Sequence, residues 1–209
     1  MTPAAVLFDC DGVLVDSEPH SIAAWMEVLG ALGHPATAGD VEACTGLGFP
    51  PTRQALAALG PLPPEDELWP MLLDALGRSF DHGLAVFDDG VALLEAARGR
   101  GIPTAVVSGS PRSRLDLTLE RAGLSFDVSV AGDESEPKPA PDPYLTAADR
   151  LGVDPAASLV IEDTPTGVRS GMAAGCRVVA VVREGADRAA LGAAGAEVVD
   201  RLDAALLDA

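Results

Sequence analysis

Ala4-Ala5-Val6-Leu7-Phe8-Asp9-Cys10-Asp11-Gly12-Val13-Leu14-Val15-Asp16-Ser17 is the stretch that decides the fold. Its first five residues form an unbroken apolar run, the pattern of a strand buried on both faces in a parallel sheet. The strand has to stop where the carboxylates start, because ionised groups are costly in a dry interior. Gly12 then permits a sharp turn. Asp9 is therefore expected at the carboxyl end of a central strand, with Asp11 just beyond it. Residues two apart in extended chain face the same way, so both carboxylates look into one crevice. Two anions that close need a cation or a shared proton. Mg²⁺, which takes oxygen ligands, is the natural cation. Taken alone, the Asp-x-Asp-Gly step reads equally well as a turn without chemistry, since Asp and Gly are ordinary turn residues.

Composition narrows the field. The chain has 209 residues, room for one core plus a small second domain. It carries 32 acids against 14 bases, a net charge of −18, which argues against a nucleic-acid surface. A phosphorylated substrate would not be drawn in by the field of the whole protein. Its attraction has to be local, from a metal and a few placed cations. Cys10, Cys44 and Cys176 are scattered and odd in number, which fits buried thiols in a reducing compartment. There is no basic-then-apolar leader pattern and no apolar run of transmembrane length. The expectation is a cytoplasmic protein, monomer or homodimer, with a small phosphorylated metabolite as partner and neither nucleic acid nor membrane.

After Ser17 the periodicity changes to that of helices. Ile22, Trp25, Met26, Leu29 and Leu32 recur at helical spacing, with Ser17 as the expected cap and Pro19 in the first turn. Further helices are expected from about 38 to 44, 52 to 59 and 65 to 80, broken by Gly46-Leu47-Gly48-Phe49-Pro50-Pro51 and Gly60-Pro61-Leu62-Pro63-Pro64. Four helices with no strand between them, directly after a strand, read as an insertion. The domain division is residues 1–16 core, 17–86 helical cap and 87–209 core. Within the cap, His20, Gly48 and Arg53 are candidate substrate contacts. The plainer alternatives are a solvated helix residue for His20 and a loop that needs permissive dihedrals for Gly48. Trp25 reads as core.

From Asp88 helix and strand alternate. Thr104-Ala105-Val106-Val107-Ser108 is a buried strand ending in a hydroxyl, and Gly109-Ser110-Pro111 opens a helix near Arg112. Gly109 and Arg112 join the candidate substrate contacts. Phe126, Val128 and Val130 alternate as a peripheral strand. Prolines stiffen Glu136-Pro137-Lys138-Pro139-Ala140-Pro141-Asp142-Pro143 around Lys138, the only lysine in the chain. A compact point charge, not a planar fork, is wanted there. Ser158-Leu159-Val160-Ile161-Glu162-Asp163 is another buried strand ending in acids, followed by a helix capped at Thr164. Arg177 to Val182 forms the last long strand. Alternation with short connections predicts an α/β fold, a doubly wound Rossmann-like parallel sheet with the helical cap inserted. Ligands bind such sheets beyond the carboxyl ends of the strands. That rule gathers Asp9, Asp11, Ser108, Lys138, Glu162 and Asp163 on one edge.

These motifs, in this order, resemble the four motifs of the haloacid-dehalogenase-like hydrolases. The likeness is to the branch with a helical cap after the first motif, which includes phosphoglycolate phosphatases, sugar-phosphate phosphatases and β-phosphoglucomutases. The resemblance implies a Mg²⁺-dependent phosphatase acting on a small phosphomonoester, with Asp9, Asp11, Ser108 and Lys138 as catalytic residues. Asp9 would be the nucleophile that forms an aspartyl-phosphate and Asp11 the acid and base, while Ser108 and Lys138 would bind phosphoryl oxygens. Asp9, the Asp11 carbonyl, Asp163 and Glu162, directly or through water, would hold the metal. Dehalogenases of this fold lack the second aspartate, so Asp11 favours phosphoryl transfer. Mutases of the branch carry a histidine where this chain has Ser21, and a Lys-Gly-x-Ser-Arg loop where it has Thr45-Gly46-Leu47-Gly48-Phe49. Both departures favour a hydrolase over a mutase. A sensor of phosphate ligands without activity is the reading from a different class.

Overall fold

A computed structural model describes residues 2–208 of the chain. The first strand is β1 (Val6–Phe8), fully buried. Next come β2 (Val15–Asp16), then α1 (Glu18–Ala31), α2 (Ala38–Glu42), α3 (Phe49–Ala57) and α4 (Glu65–Phe80), then β3 (Ala85–Val86). The remainder alternates: α5 (Asp88–Gly99), β4 (Thr104–Val107), α6 (Arg112–Ala122), β5 (Val128–Val130), α7 (Asp142–Leu151), β6 (Leu159–Glu162), α8 (Pro165–Ala173), β7 (Arg177–Val181), α9 (Arg188–Ala193) and β8 (Glu197–Val199). Short 3-10 turns at Pro155–Ala157 and Ala204–Leu207 complete it. Six strands form one parallel sheet in the order β5-β4-β1-β6-β7-β8.

The period of two along each strand divides the core between the faces of the sheet. Val6, Phe8, Val106, Leu159 and Ile161 pack with Leu93, Leu94 and Ala97 of α5 and Leu115 of α6. Ala5, Leu7, Ala105, Val107, Val160 and Val178 pack with Tyr144 and Ala147 of α7, Val168 of α8 and Leu191 of α9. Both faces are covered by helices, so the sheet is doubly wound, with β1 near its middle.

Helices α1 to α4 share a separate apolar cluster that includes Trp25, Leu29, Leu56, Leu68, Leu72 and Phe80. The Phe49 ring lies between Trp25 and Trp69, with centroids 6.0 and 4.7 Å away. The chain leaves for these helices through β2 and returns through β3. The two strands pair antiparallel, Val15 with Val86 and Asp16 with Ala85.

Three local expectations change. α3 begins at Phe49, not Thr52, because Pro50 and Pro51 occupy a first turn, where a missing N–H leaves no bond unmade. α2 ends at Glu42, not Cys44. Ser17 stands at the start of α1 without capping it; its hydroxyl goes to Asp11 instead. Thr164, by contrast, caps α8 as expected, accepting from the Gly167 amide. Among the described residues no helix is long and apolar enough to cross a membrane.

Candidate active site

Asp9 follows β1 directly. Its amide donates to the Ile161 carbonyl at 2.9 Å, so the sheet fixes its backbone. The side chain is only 12% exposed. Lys138 reaches it from the proline-stiffened loop before α7, with Nζ 2.5 Å from Asp9 Oδ1 and 2.6 Å from Glu162 Oε1. The Val107 carbonyl at 3.1 Å and the Tyr144 hydroxyl at 3.0 Å complete the surroundings of the ammonium.

Glu162 is fully buried at the end of β6 and has no oxygen to spare. Oε1 accepts from Lys138 and from the Tyr144 hydroxyl at 2.7 Å. Oε2 accepts from the Asp163 and Thr164 amides and the Thr164 hydroxyl. Gly167 makes room for it: a Cβ there would lie 1.7 Å from Oε1. Burial raises the Glu162 pKa, but the Lys138 charge and these donors outweigh it and leave the group below its ordinary value. Burial likewise works against charge on Lys138, and Asp9 and Glu162 overcome it, so the ammonium stays protonated.

Asp9 and Asp163 shift the other way. Burial pushes both up, and the neighbouring acids push further, carrying Asp163 to about 7. Asp163 Oδ1 is buried without any hydrogen-bond partner. One oxygen from each of Asp9, Glu162 and Asp163 lies within 4.8 Å of the others. A buried, orphaned carboxylate oxygen amid crowded acids is the donor set of a hard divalent cation. Such an ion would reverse the upward shifts. The residues therefore fit Mg²⁺, with Asp9 and Asp163 holding the uncommitted oxygens.

Asp11 sits in the turn after β1, partly exposed. Oδ1 accepts from the Ser17 hydroxyl and lies 3.5 Å from Arg114 Nη2. Oδ2 lies 3.5 Å from the buried Ser108 hydroxyl and 3.4 Å from that of Ser110. The turn packs against Asp163 so closely that a Cβ on Gly12, whose φ is +78°, would stand 1.9 Å from Asp163 Oδ2. Asp9, Asp11, Ser108, Lys138, Glu162 and Asp163 thus share one site at the carboxyl edge of the sheet.

The remaining candidates lie differently. Arg112 turns to Glu134, Asp116 and Ser129. The guanidinium at Asp11 belongs to Arg114, on the same helix, which also donates to Ser17 and Ser21 at 3.3 and 2.9 Å. His20 is not simply solvated: Nδ1 is 2.8 Å from the Ser79 hydroxyl, and the ring meets Phe80 edge-on. Arg53 donates to the Pro63 carbonyl at 3.0 Å within the helical insertion. Gly48 precedes α3 with φ +76°, a backbone role. Gly109 is exposed in the loop after β4. Sequence reasoning missed Arg114, Ser17, Ser110 and Tyr144. The one available signal was that Tyr144 is the only tyrosine and lies near the only lysine.

The sheet order and flanking helices define a Rossmann-like α/β fold with an acid-rich site at its carboxyl edge, and comparison with known proteins places it. Residues 6–181 match the haloacid dehalogenase-like hydrolase family, and the chain belongs to that family. It is 33% identical over 193 residues to the fructose-1-phosphate phosphatase of Escherichia coli, covering 85% of this chain and 96% of the relative. It is 34% identical over 188 residues to the chloroplastic protein Suppressor of Quenching 1 of Arabidopsis thaliana, covering 85% of this chain but only 18% of that longer protein. A solved structure from Thermotoga maritima, named as a β-phosphoglucomutase, superposes with a TM-score of 0.80 at 30% identity over 94% of each chain.

Proposed function

We propose that this hydrolase is a Mg²⁺-dependent phosphatase of a small phosphomonoester, a sugar phosphate or a phosphoglycolate-like acid. The observation that carries the reading is Asp9. It is fixed by the sheet, paired with Lys138, and set beside the unpartnered oxygen of Asp163. Phosphoryl transfer chiefly needs positioning and charge neutralisation, and this arrangement offers both.

In the first step an Asp9 carboxylate oxygen attacks phosphorus. The bond from phosphorus to the leaving oxygen breaks, and Asp11 donates a proton to that oxygen. In the second step Asp11 takes a proton from water. The water oxygen attacks phosphorus, the bond to Asp9 breaks, and inorganic phosphate leaves. Lys138 and the Ser108 hydroxyl bind the other phosphoryl oxygens. Mg²⁺ would be held by Asp9, Asp163 and the Asp11 carbonyl and would supply positive charge to offset the crowded acids and the phosphoryl group. Glu162, its oxygens already committed, keeps Lys138 charged and aimed. The helices of residues 17–86 act as a cap that excludes water and selects the leaving group.

A phosphosugar mutase is the second reading, kept because a neighbour in fold bears that name. Against it, Ser21 stands where mutases of the branch carry a histidine, and its hydroxyl is taken by Arg114. The test is a panel of alkyl, sugar and glycolate phosphates with Mg²⁺ or with chelator. Metal-dependent release of phosphate is expected. With β-glucose 1-phosphate, formation of glucose 6-phosphate would mean a mutase. No turnover across the panel despite Mg²⁺ binding would mean a sensor.

A further inference from the structure

Arg183 lies in the loop after β7, and nothing in the proposed reaction uses it. Its guanidinium is nevertheless among the most constrained in the molecule. Nε donates to the Gly12 carbonyl at 2.7 Å, and Nη2 to the Val13 carbonyl at 3.1 Å. Nη1 and Nη2 grip Asp89 of α5 at 3.1 and 2.9 Å. The Phe87 ring lies 3.9 Å from its central carbon. Asp89 is in turn fixed by the Leu202 and Gly90 amides at 3.0 and 2.9 Å. The pair is largely buried, with side-chain exposures of 17% and 8%.

The partners share one property. Gly12 and Val13 belong to the turn that carries Asp11 and leads out to the helical insertion through β2. Phe87 and Asp89 belong to the segment that returns from it through β3. One planar fork therefore ties both crossings to the sheet. Lysine, with a single nitrogen, could not serve four acceptors held in that plane.

We propose that Arg183 is a positioning residue for Asp11: it holds the turn after β1 in register with the sheet at the point where β2 and β3 lead to and from the helical insertion. The contrast with Asp9 gives this content. Asp9 is held by its own sheet bond and by Lys138, independently of the turn. The Asp11 amide makes no such bond among the described residues; its carboxylate meets Ser17, Arg114, Ser108 and Ser110, and where it stands among them is set by the turn that carries its backbone. Loss of the clamp should therefore damage proton transfer to the leaving group and spare attack by Asp9.

The inference rests on the phosphatase reading for its kinetic arm but not for its structural one. Turnover of 4-nitrophenyl phosphate, whose leaving group needs no proton, is compared with that of glycerol 1-phosphate in wild type, Arg183→Met, Arg183→Lys and Asp89→Asn. In parallel, hydrogen exchange is followed at the amides of Gly12, Leu14 and Val15, which close the turn through Val15 and Cys10 carbonyls. The amides of Val6–Phe8 serve as the internal reference. The variants should lose at least about tenfold more activity on the glycerol ester than on the aryl ester. Their turn amides should exchange faster while the β1 amides keep their protection. If Arg183→Met does not fold, Arg183→Lys and Asp89→Asn carry the same comparison. Equal proportional losses on the two esters, or turn amides that exchange no faster than in wild type, would overturn the proposal. If wild type hydrolyses neither ester, the best alkyl ester of the panel replaces glycerol 1-phosphate; if it hydrolyses none of the panel, the phosphatase reading fails, and exchange alone decides whether Arg183 holds the turn.

Discussion

At the sheet edge, Lys138 spends its ammonium on Asp9 and Glu162, residues 129 and 24 positions away. In the helical insertion, Arg53 spends its guanidinium on a carbonyl ten positions away, and Thr37 and Asp40 satisfy each other across one turn. The first region joins distant parts of the chain around a shared charge problem. The second pairs such groups largely within itself, next door as at Arg53 or between its helices as at His20 and Ser79, and buries an apolar cluster of its own. A site whose groups depend on one another cannot lose one without changing the rest. A region whose polar groups are satisfied apart from that shared charge is freer to vary, which suits the substrate-selecting role proposed for it.

The contrast is broken most directly at Asp9. Asp9→Asn should lower phosphate release on the order of 10⁴-fold or more, since removing a nucleophile removes the whole reaction path. The fold should survive, because the asparagine keeps the sheet bond and the shape. Residual turnover close to wild type would reject Asp9 as the attacking group. Asp11→Ala comes next. Hydrolysis of an alkyl phosphate should fall about 10²- to 10⁴-fold, and that of an activated aryl phosphate much less. Equal losses on both esters would remove the acid role from Asp11.

Much of the sheet edge was legible because topology dictates it. Short apolar runs such as Ala4–Phe8 and Leu159–Ile161, bounded by turn residues and alternating with helices, read as buried strands, and the end of a buried parallel strand falls at the carboxyl edge of the sheet. Asp9, Ser108 and Glu162 needed no knowledge of side-chain direction. Arg112 and Arg114 did. They are two residues apart on α6, about 200° around the helix, so only one can face Asp11. Periodicity alone did not say which, because Leu115 and Leu119 fix the buried stripe and leave both arginines at its margins. Arg183 was illegible for another reason. Its partners are 94 and 171 positions away, and a guanidinium bound to backbone carbonyls leaves no trace in side-chain pattern. Ser17 has the chemistry of a helix cap, and the competing acceptor, Asp11, became visible only in three dimensions.

A smaller effect tests the metal at Asp163. Burial lifts its pKa from 3.8 to about 7, so the folded state holds that proton more tightly than the unfolded chain. Without metal, stability should therefore fall as pH rises from about 4 through about 7, where the folded state gives up the proton. Mg²⁺, binding the ionised folded form, should raise the melting temperature more at pH 7.5 than at pH 5. Asp163→Asn should weaken both the slope and the Mg²⁺ response. Thermal melts across that range check it, and an equal Mg²⁺ response in the variant would place the ion elsewhere.

The smallest effect is expected in the helical insertion, at Arg53. Its hydrogen bond to Pro63 is worth about 1 kcal/mol, and its Nε is buried without a partner, a cost that substitution removes. The two nearly offset each other. Arg53→Met should change stability by less than about 1 kcal/mol in urea denaturation and leave kcat/KM within about twofold on every ester of the panel. If instead kcat/KM fell tenfold or more on one sugar phosphate while the aryl ester was untouched, Arg53 would have to leave Pro63 and meet the substrate when it binds. The pairing of the insertion's polar groups within itself would then not be its working state. Its internal bonds would be a resting arrangement, exchanged for contacts with the leaving group, and the difference between the two regions would become one of timing, not of construction.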